Sequence, residues 1–279
     1  YLHMGDRAHL RGDAYDDERD EEYSITLDQN DPDKIVVESF GQIETYAGVK
    51  RIVANGGDGD DVIEVGEGVS AQLDFDMGDG NDLLVLDGGG AGSVLRGGRC
   101  DDEIISTLGA PRETEAGVQI APIVGPITYY LGGGNDRIDT GDSDDIVFAD
   151  SGTNTIRTHG GADTITVNGG SNDIHAGAGD DLIRLIRGGG TVNGGEGDDI
   201  IHLGTGTVTV DGGTGDDTAF LGINSSEPIV IGDHSLTSGL STVTVSNALE
   251  RLVVTDASLN TVLRSKNAGT DSWGAAGLH

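Results

Sequence analysis

The chain has 279 residues, 49 of them Asp or Glu and 16 Lys or Arg, for a formal net charge of −33 at pH 7. A surface this negative repels polyanions, which argues against nucleic acid as a partner, and no run approaches the 18 apolar residues of a transmembrane span. Glycine contributes 48 residues and aromatics only 4%, a composition that opposes helices and thick cores and argues against a conventional helical or α/β enzyme.

The first 22 residues, with Asp16-Asp17-Glu18 and Asp20-Glu21-Glu22, form an acidic lead expected to be disordered or weakly held. Residues 23–55 contain the alternating segments SITLD, KIVVESF and KRIVA, which predict strands of an N-terminal β cap. Residues 56–130 carry Gly/Asp-rich turns in a loose register, interrupted at 107–126 by a segment with three prolines that reads as an extended loop. Residues 131–220 are strictly periodic, and 221–279 (PIVIG, STVTVS, ERLVVTD, NTVLRS) read as a C-terminal β segment that covers the open end. The chain opens Tyr1-Leu2-His3-Met4, with no secretory leader and no initial Met, which reads as either an excerpt of a larger protein or a tagged chain.

From Leu131 to Phe220 the sequence divides into ten consecutive nonamers without insertion or deletion, from LGGGNDRID to GGTGDDTAF. Their eighth positions are Ile138, Val147, Ile156, Ile165, Ile174, Ile183, Val192, Ile201, Val210 and Ala219. A nine-residue period fits neither a helix nor a coiled coil. Six Gly/Asp-rich residues make a turn and three make a short strand, whose middle residue points inward and whose neighbours point outward. Two nonamers complete one coil, so the stack is an all-β, parallel β-roll or β-solenoid around a narrow aliphatic core, with irregular β caps.

The copies GGEGDDIIH (194–202) and GGDGDDVIE (56–64) resemble the repeats-in-toxin (RTX, hemolysin-type) family, whose consensus is G-G-x-G-x-D-x-U-x with U a large aliphatic. The resemblance covers 56–106 loosely and 131–220 strictly. It implies a right-handed roll, calcium bound by the turns, and export as an unfolded chain by a type I machine, with calcium as the folding trigger outside the cell.

Every second nonamer has Asp at its sixth position: Asp145, Asp163, Asp181, Asp199 and Asp217. Alternate nonamers share an edge, and stacked turns lie about 4.8 Å apart, so these carboxylates repel unless neutralised. A calcium ion between successive turns converts the repulsion into bonding, and five turns enclose four such sites. The other edge decays from Asp136 through Asn154, Asn172 and Gly190 to Val208 and is read as metal-free beyond Asp136. Upstream, Asp61, Asp82 and Asp102 are spaced by 21 and 20 residues. If the 107–126 loop replaces one turn, they share an edge with Asp136, and the metal ladder changes sides between 136 and 145. Cys100 stands where the repeat has Gly, which puts that turn and its calcium in question. As the single cysteine, it leaves no internal disulfide.

No HExxH or GxSxG motif occurs, His175 and His202 fall on different sheets, and Arg157, Arg184 and Arg187 are too sparse for the basic cleft of a solenoid lyase. Arg11-Gly12-Asp13 and the sequon Asn224-Ser225-Ser226 are read as chance matches. Ile146, Phe148, Leu182, Ile200 and Phe220 form an outward apolar stripe. Either the 107–126 loop (Val118, Ile120, Ile123, Val124) covers it, or another domain or a neighbouring copy does, the last as a homo-oligomer or filament. The expected function is a non-enzymatic, calcium-folded structural module of a secreted or bacterial cell-surface protein, such as an adhesin stalk, matrix or surface-layer component. The alternatives are the accessory domain of a secreted hydrolase or polysaccharide-modifying enzyme, or a halophile's acidic protein.

Overall fold

The computed structural model describes residues 20–106, 112–113, 119–120, 125–223, 230–231, 235–238, 241–245, 251–256, 261–266 and 273–275. Residues 1–19 of the acidic lead, Arg11-Gly12-Asp13, the Asn224 sequon and the side chains of Val118, Ile120, Ile123 and Val124 lie outside the described residues. Every regular element in the described part is a strand. The chain forms two compact units, residues 1–148 and 149–279.

The first unit contains β1 (Glu22–Asp28), β2 (Asp31–Ser39), β3 (Gln42–Ala47), β4 (Arg51–Asp58), β5 (Val62–Val65), β6 (Gln72–Asp79), β7 (Leu83–Leu86), β8 (Val94–Arg99), β9 (Glu103–Ser106), β10 (Arg112–Glu113), β11 (Gln119–Ile120), β12 (Thr128–Gly133), β13 (Arg137–Asp139) and β14 (Ile146–Ala149). Its strands alternate between two parallel sheets, one ordered β13-β9-β7-β5-β1 and the other β14-β12-β8-β6-β4. Beyond β1 the direction reverses, because β2 pairs with β1 and β3 with β2 antiparallel. On that sheet the meander leaves no parallel strand as the edge, whereas the other sheet ends at β4, which pairs in parallel with β6. Residues 20–22 of the lead are tied to the first coil: Asp20 Oδ1 accepts the Asp60 N–H at 3.0 Å, and the Glu21 N–H donates to Asp61 Oδ1 at 2.8 Å.

The 107–126 segment joins β9 to β12 and contains the β10–β11 antiparallel pair, so it is not wholly extended loop. It lengthens its coil without disturbing the stack, since Thr128 still pairs with Val94 and Arg137 with Glu103.

The second unit contains β15 (Thr155–Arg157), β16 (Thr164–Val167), β17 (Ser171–Ala178), β18 (Leu182–Arg187), β19 (Gly189–Glu196), β20 (Ile200–Thr205), β21 (Thr207–Thr214), β22 (Thr218–Ile223), β23 (Val230–Ile231), β24 (Ser235–Ser238), β25 (Ser241–Val245), β26 (Arg251–Asp256), β27 (Thr261–Lys266) and β28 (Trp273–Ala275). One sheet runs β15-β17-β19-β21-β25 in parallel and closes with antiparallel β24 and β23. The other runs β16-β18-β20-β22-β26 and closes with antiparallel β27 and β28.

All ten eighth-position residues are buried, none more than 1% exposed. The first position of each nonamer is buried as well: Leu131, Thr140, Ala149, Thr158, Val167, Ala176, Leu185 and Leu203 occupy it wherever it is not Gly. The core therefore takes two side chains per nonamer instead of the one expected. The strands lengthen accordingly, to eight residues in β17, β19 and β21.

The turn glycines answer a steric demand. Gly197 has φ +121°, and a Cβ there would fall 2.2 Å from the Gly179 carbonyl oxygen of the preceding coil. Cys100 occupies the equivalent place with φ +73°, a left-handed conformation that an L side chain tolerates poorly.

Two substitutions check this packing by denaturant unfolding in calcium. Ile183→Ala removes a fully buried side chain and is expected to cost about 2–5 kcal/mol. Gly197→Ala meets both the φ and the carbonyl and is expected to cost at least about 1–3 kcal/mol.

Candidate metal centre

All nine sixth-position aspartates are buried, none more than 3% exposed. Their side chains turn inward at the coil corners, where the carboxylate meets the backbone of the neighbouring coil. In the first unit Asp61 N–H donates to Asp82 Oδ1 (2.8 Å), Asp82 N–H to Asp102 Oδ1 (3.1 Å) and Asp102 N–H to Asp136 Oδ1 (3.1 Å). In the second unit Asp163 N–H donates to Asp181 Oδ1 (2.8 Å), Asp181 N–H to Asp199 Oδ1 (2.9 Å) and Asp199 N–H to Asp217 Oδ1 (3.0 Å). Each carboxylate thus reaches the main chain of the coil before it, a spacing of 18 residues in the regular region.

Asp136 precedes β13 and Asp145 follows it, so the two lie on opposite edges of the first unit. Asp145 Oδ1 accepts the Ile127 N–H at 2.9 Å and the Ser143 hydroxyl at 3.2 Å. In the second unit the edge opposite the Asp163–Asp217 series carries Asn154, whose Nδ2 donates to Asn172 Oδ1 at 3.1 Å, while Asn172 Nδ2 donates to Gly169 O at 2.8 Å. An amide is both donor and acceptor, so an Asn column satisfies itself; a carboxylate column has acceptors only.

The consequence is visible in the second carboxylate oxygen. The Oδ2 atoms of Asp61, Asp82, Asp102 and Asp199 are buried and have no hydrogen-bond partner. Those of Asp61, Asp102 and Asp199 also lie against glycines and beside a carbonyl of the adjoining coil. A Cβ added at Gly194 would fall 2.0 Å from Asp199 Oδ2 and 2.5 Å from Gly212 O; one at Gly97 would fall 2.5 Å from Asp102 Oδ2 and 2.9 Å from Leu131 O. Buried acceptors gathered without a donor cost several kcal/mol if left ionised and unpartnered.

The electrostatics agree. Burial, opposed by the backbone hydrogen bond and reinforced by neighbouring carboxylates, pushes Asp102 up to about 8 and both Asp61 and Asp199 up to about 7. Burial likewise pushes Asp82, Asp136 and Asp145 up to about 6.

This donor set fits a hard divalent cation, which takes carboxylate and carbonyl oxygens and needs no nitrogen or sulfur. Among the described residues no three His, Cys, Asp or Glu side chains cluster at one point. Backbone carbonyls would therefore complete the coordination.

A second column runs along the rim at the fifth position. Asn81 N–H donates to Asp60 Oδ1 (2.8 Å) and Asn135 N–H to Asp101 Oδ1 (2.7 Å); in the second unit Asp198 N–H donates to Asp180 Oδ1 (2.9 Å) and Asp216 N–H to Asp198 Oδ1 (2.8 Å). Its bonds run in the opposite sense to those of the buried column. Attention to the sixth position alone misses it, although the repeated Asp-Asp doublets signal it.

Among the described residues no helix is long and apolar enough to cross a membrane. No curated protein matches the chain. The family model for the RTX calcium-binding nonapeptide repeat matches in four copies, at residues 53–69, 128–156, 148–183 and 187–223. These matches include seven of the nine buried aspartates, all but Asp82 and Asp102. The matches identify RTX calcium-binding nonapeptide repeats in the chain, which implies a calcium-binding structural repeat module.

Proposed function

We propose that this is a non-enzymatic module of a secreted or cell-surface bacterial protein, and that it folds when it binds calcium. Asp61, Asp82, Asp102 and Asp136 would serve one column of sites, Asp163, Asp181, Asp199 and Asp217 another, with Asp145 on the second edge of the first unit. Bound calcium supplies the positive charge and open coordination positions that these acceptors lack. The observation that carries the reading is the set of buried, donorless Oδ2 atoms at Asp61, Asp82, Asp102 and Asp199.

The chain's own residues explain why folding and binding are coupled. Each ladder carboxylate becomes buried only when the next coil is laid down, so its desolvation arises on folding. An ion that binds the stacked state and not the open chain then shifts the equilibrium toward the roll. RTX repeats occur in secreted bacterial proteins, and extracellular calcium at roughly millimolar levels is in the range that weak extracellular oxygen sites use. In a compartment poor in calcium the −33 charge keeps the coils apart.

A calcium titration followed by far-UV circular dichroism tests this, with magnesium and molar sodium chloride as controls. The expected result is a cooperative coil-to-β transition with calcium alone. Asp199→Asn keeps the Oδ1 acceptor but loses the charge and is expected to move the midpoint to higher calcium. Full β structure in chelator, or an equal response to sodium, overturns the reading and favours a salt-stabilised acidic protein.

The raised carboxylate values add a pH dependence. A folded-state value above the unfolded one means that the roll binds more protons than the open chain between about pH 4 and about pH 8. Stability without metal therefore falls as pH rises through that window. In chelator the chain is expected to gain β signal on acidification from about pH 8 to about pH 5, an effect smaller in Asp102→Asn. Saturating calcium is expected to abolish or reverse the trend, because protons then compete with the metal.

A further inference from the structure

The two outward faces of the second unit differ in charge. The outward residues on β17 and β21 include Asp173 and Asp211, whereas the seventh and ninth positions of β16, β18, β20 and β22 carry no carboxylate at all. In a chain with 49 acidic residues, an acid-free face is a specific feature.

The arginines sharpen the contrast. Eight have described side chains, and six of them (Arg51, Arg96, Arg99, Arg137, Arg157 and Arg251) pair with Asp or Glu. Arg184 and Arg187 form no ion pair among the described residues, and Arg184, on β18, lines a hollow.

That hollow, about 500 Å³, lies over β18, β20 and β22. Gly204 and Gly222 leave its floor without side chains. At Gly204 none could be added, since a Cβ would fall 1.9 Å from Ile186 O. Ile186, 49% exposed, supplies an apolar wall. His202 and Phe220 supply the opposite side as a stacked pair, ring centroids 4.9 Å apart, and Arg184 stands next to His202 in the register of β18 and β20.

We propose that this hollow is a binding site for an acidic sugar, a single hexuronate unit. Arg184 receives the carboxylate through its planar fork, His202 hydrogen-bonds ring hydroxyls, and Ile186 and Phe220 cover the C–H surface of the ring. Partial burial and then the Arg184 charge hold the His202 imidazole below its ordinary value. At neutral pH it therefore offers one donor and one acceptor, the pair a hydroxyl needs. A single unit is favoured over a long polyanion because the surrounding net charge of −33 repels extended negative chains.

The site rests on the calcium reading only in requiring a folded second unit, so the test runs in saturating calcium with circular dichroism recorded on each sample. Glucuronate is titrated against the full chain while the His202 ring resonances are followed by NMR. Glucose is the uncharged control and acetate the charge-only control. Saturable shifts with glucuronate are expected, much weaker with glucose or acetate. Arg184→Gln is expected to weaken glucuronate binding about tenfold or more, as loss of a charge-assisted hydrogen bond does. Phe220→Ala is expected to weaken both sugars, and Arg157→Gln on the other sheet neither. A folded chain without a saturable response, or with equal affinity in Arg184→Gln, overturns the site and leaves the calcium reading intact. A chain that stays unfolded in calcium overturns both.

Discussion

The rest of the structure depends on one interaction, the hydrogen bond from the backbone N–H of one coil's aspartate to Oδ1 of the next coil's. It fixes the register of successive coils and turns the corner carboxylates inward, to 3% exposure or less. It also leaves a second acceptor oxygen buried. A column of neutral amides satisfies itself, as Asn154 and Asn172 do; a column of carboxylates gains the same register but accumulates charge. The same geometry that stacks the coils therefore leaves buried carboxylates that a cation or a proton must neutralise.

The thin core follows from the same constraint. With short strands and glycine-rich corners, each nonamer adds only its first and eighth residues to the apolar core, too little apolar area to offset the entropy of ordering nine residues. Antiparallel strands close one sheet in the first unit and both sheets in the second, but they add nothing at the corners.

Much of this was legible in the sequence. The unbroken nine-residue phase from Leu131 to Phe220 gave the roll, because aliphatic residues recurring at one fixed position mark an inward site in every repeat. The buried first position was harder to see. Leu, Val, Ala and Thr alternate there with Gly, and the family consensus reads that place as part of the turn. Asp61, Asp82, Asp102 and Asp136 group as the spacing suggested, with the inserted segment taking the place of a corner. The inward orientation of these carboxylates, and the opposite-running rim column of Asp60, Asp180 and Asp198, were not legible. A spacing rule places a residue at a corner but does not say which backbone group its oxygen meets. The acid-free face needed the ion pairs as well: Arg184 looks no different from Arg157 in the sequence, and only the structure gives Arg157 a carboxylate at 3.8 Å and Arg184 none.

The most direct test of the central claim is anomalous diffraction from crystals grown in calcium. The account predicts calcium peaks along the aspartate columns, with ladder oxygens such as Asp199 Oδ2 at coordination distances of about 2.3–2.6 Å. An intact roll with no ion near those oxygens would contradict it, and would mean that the buried carboxylates are held neutral by protons instead.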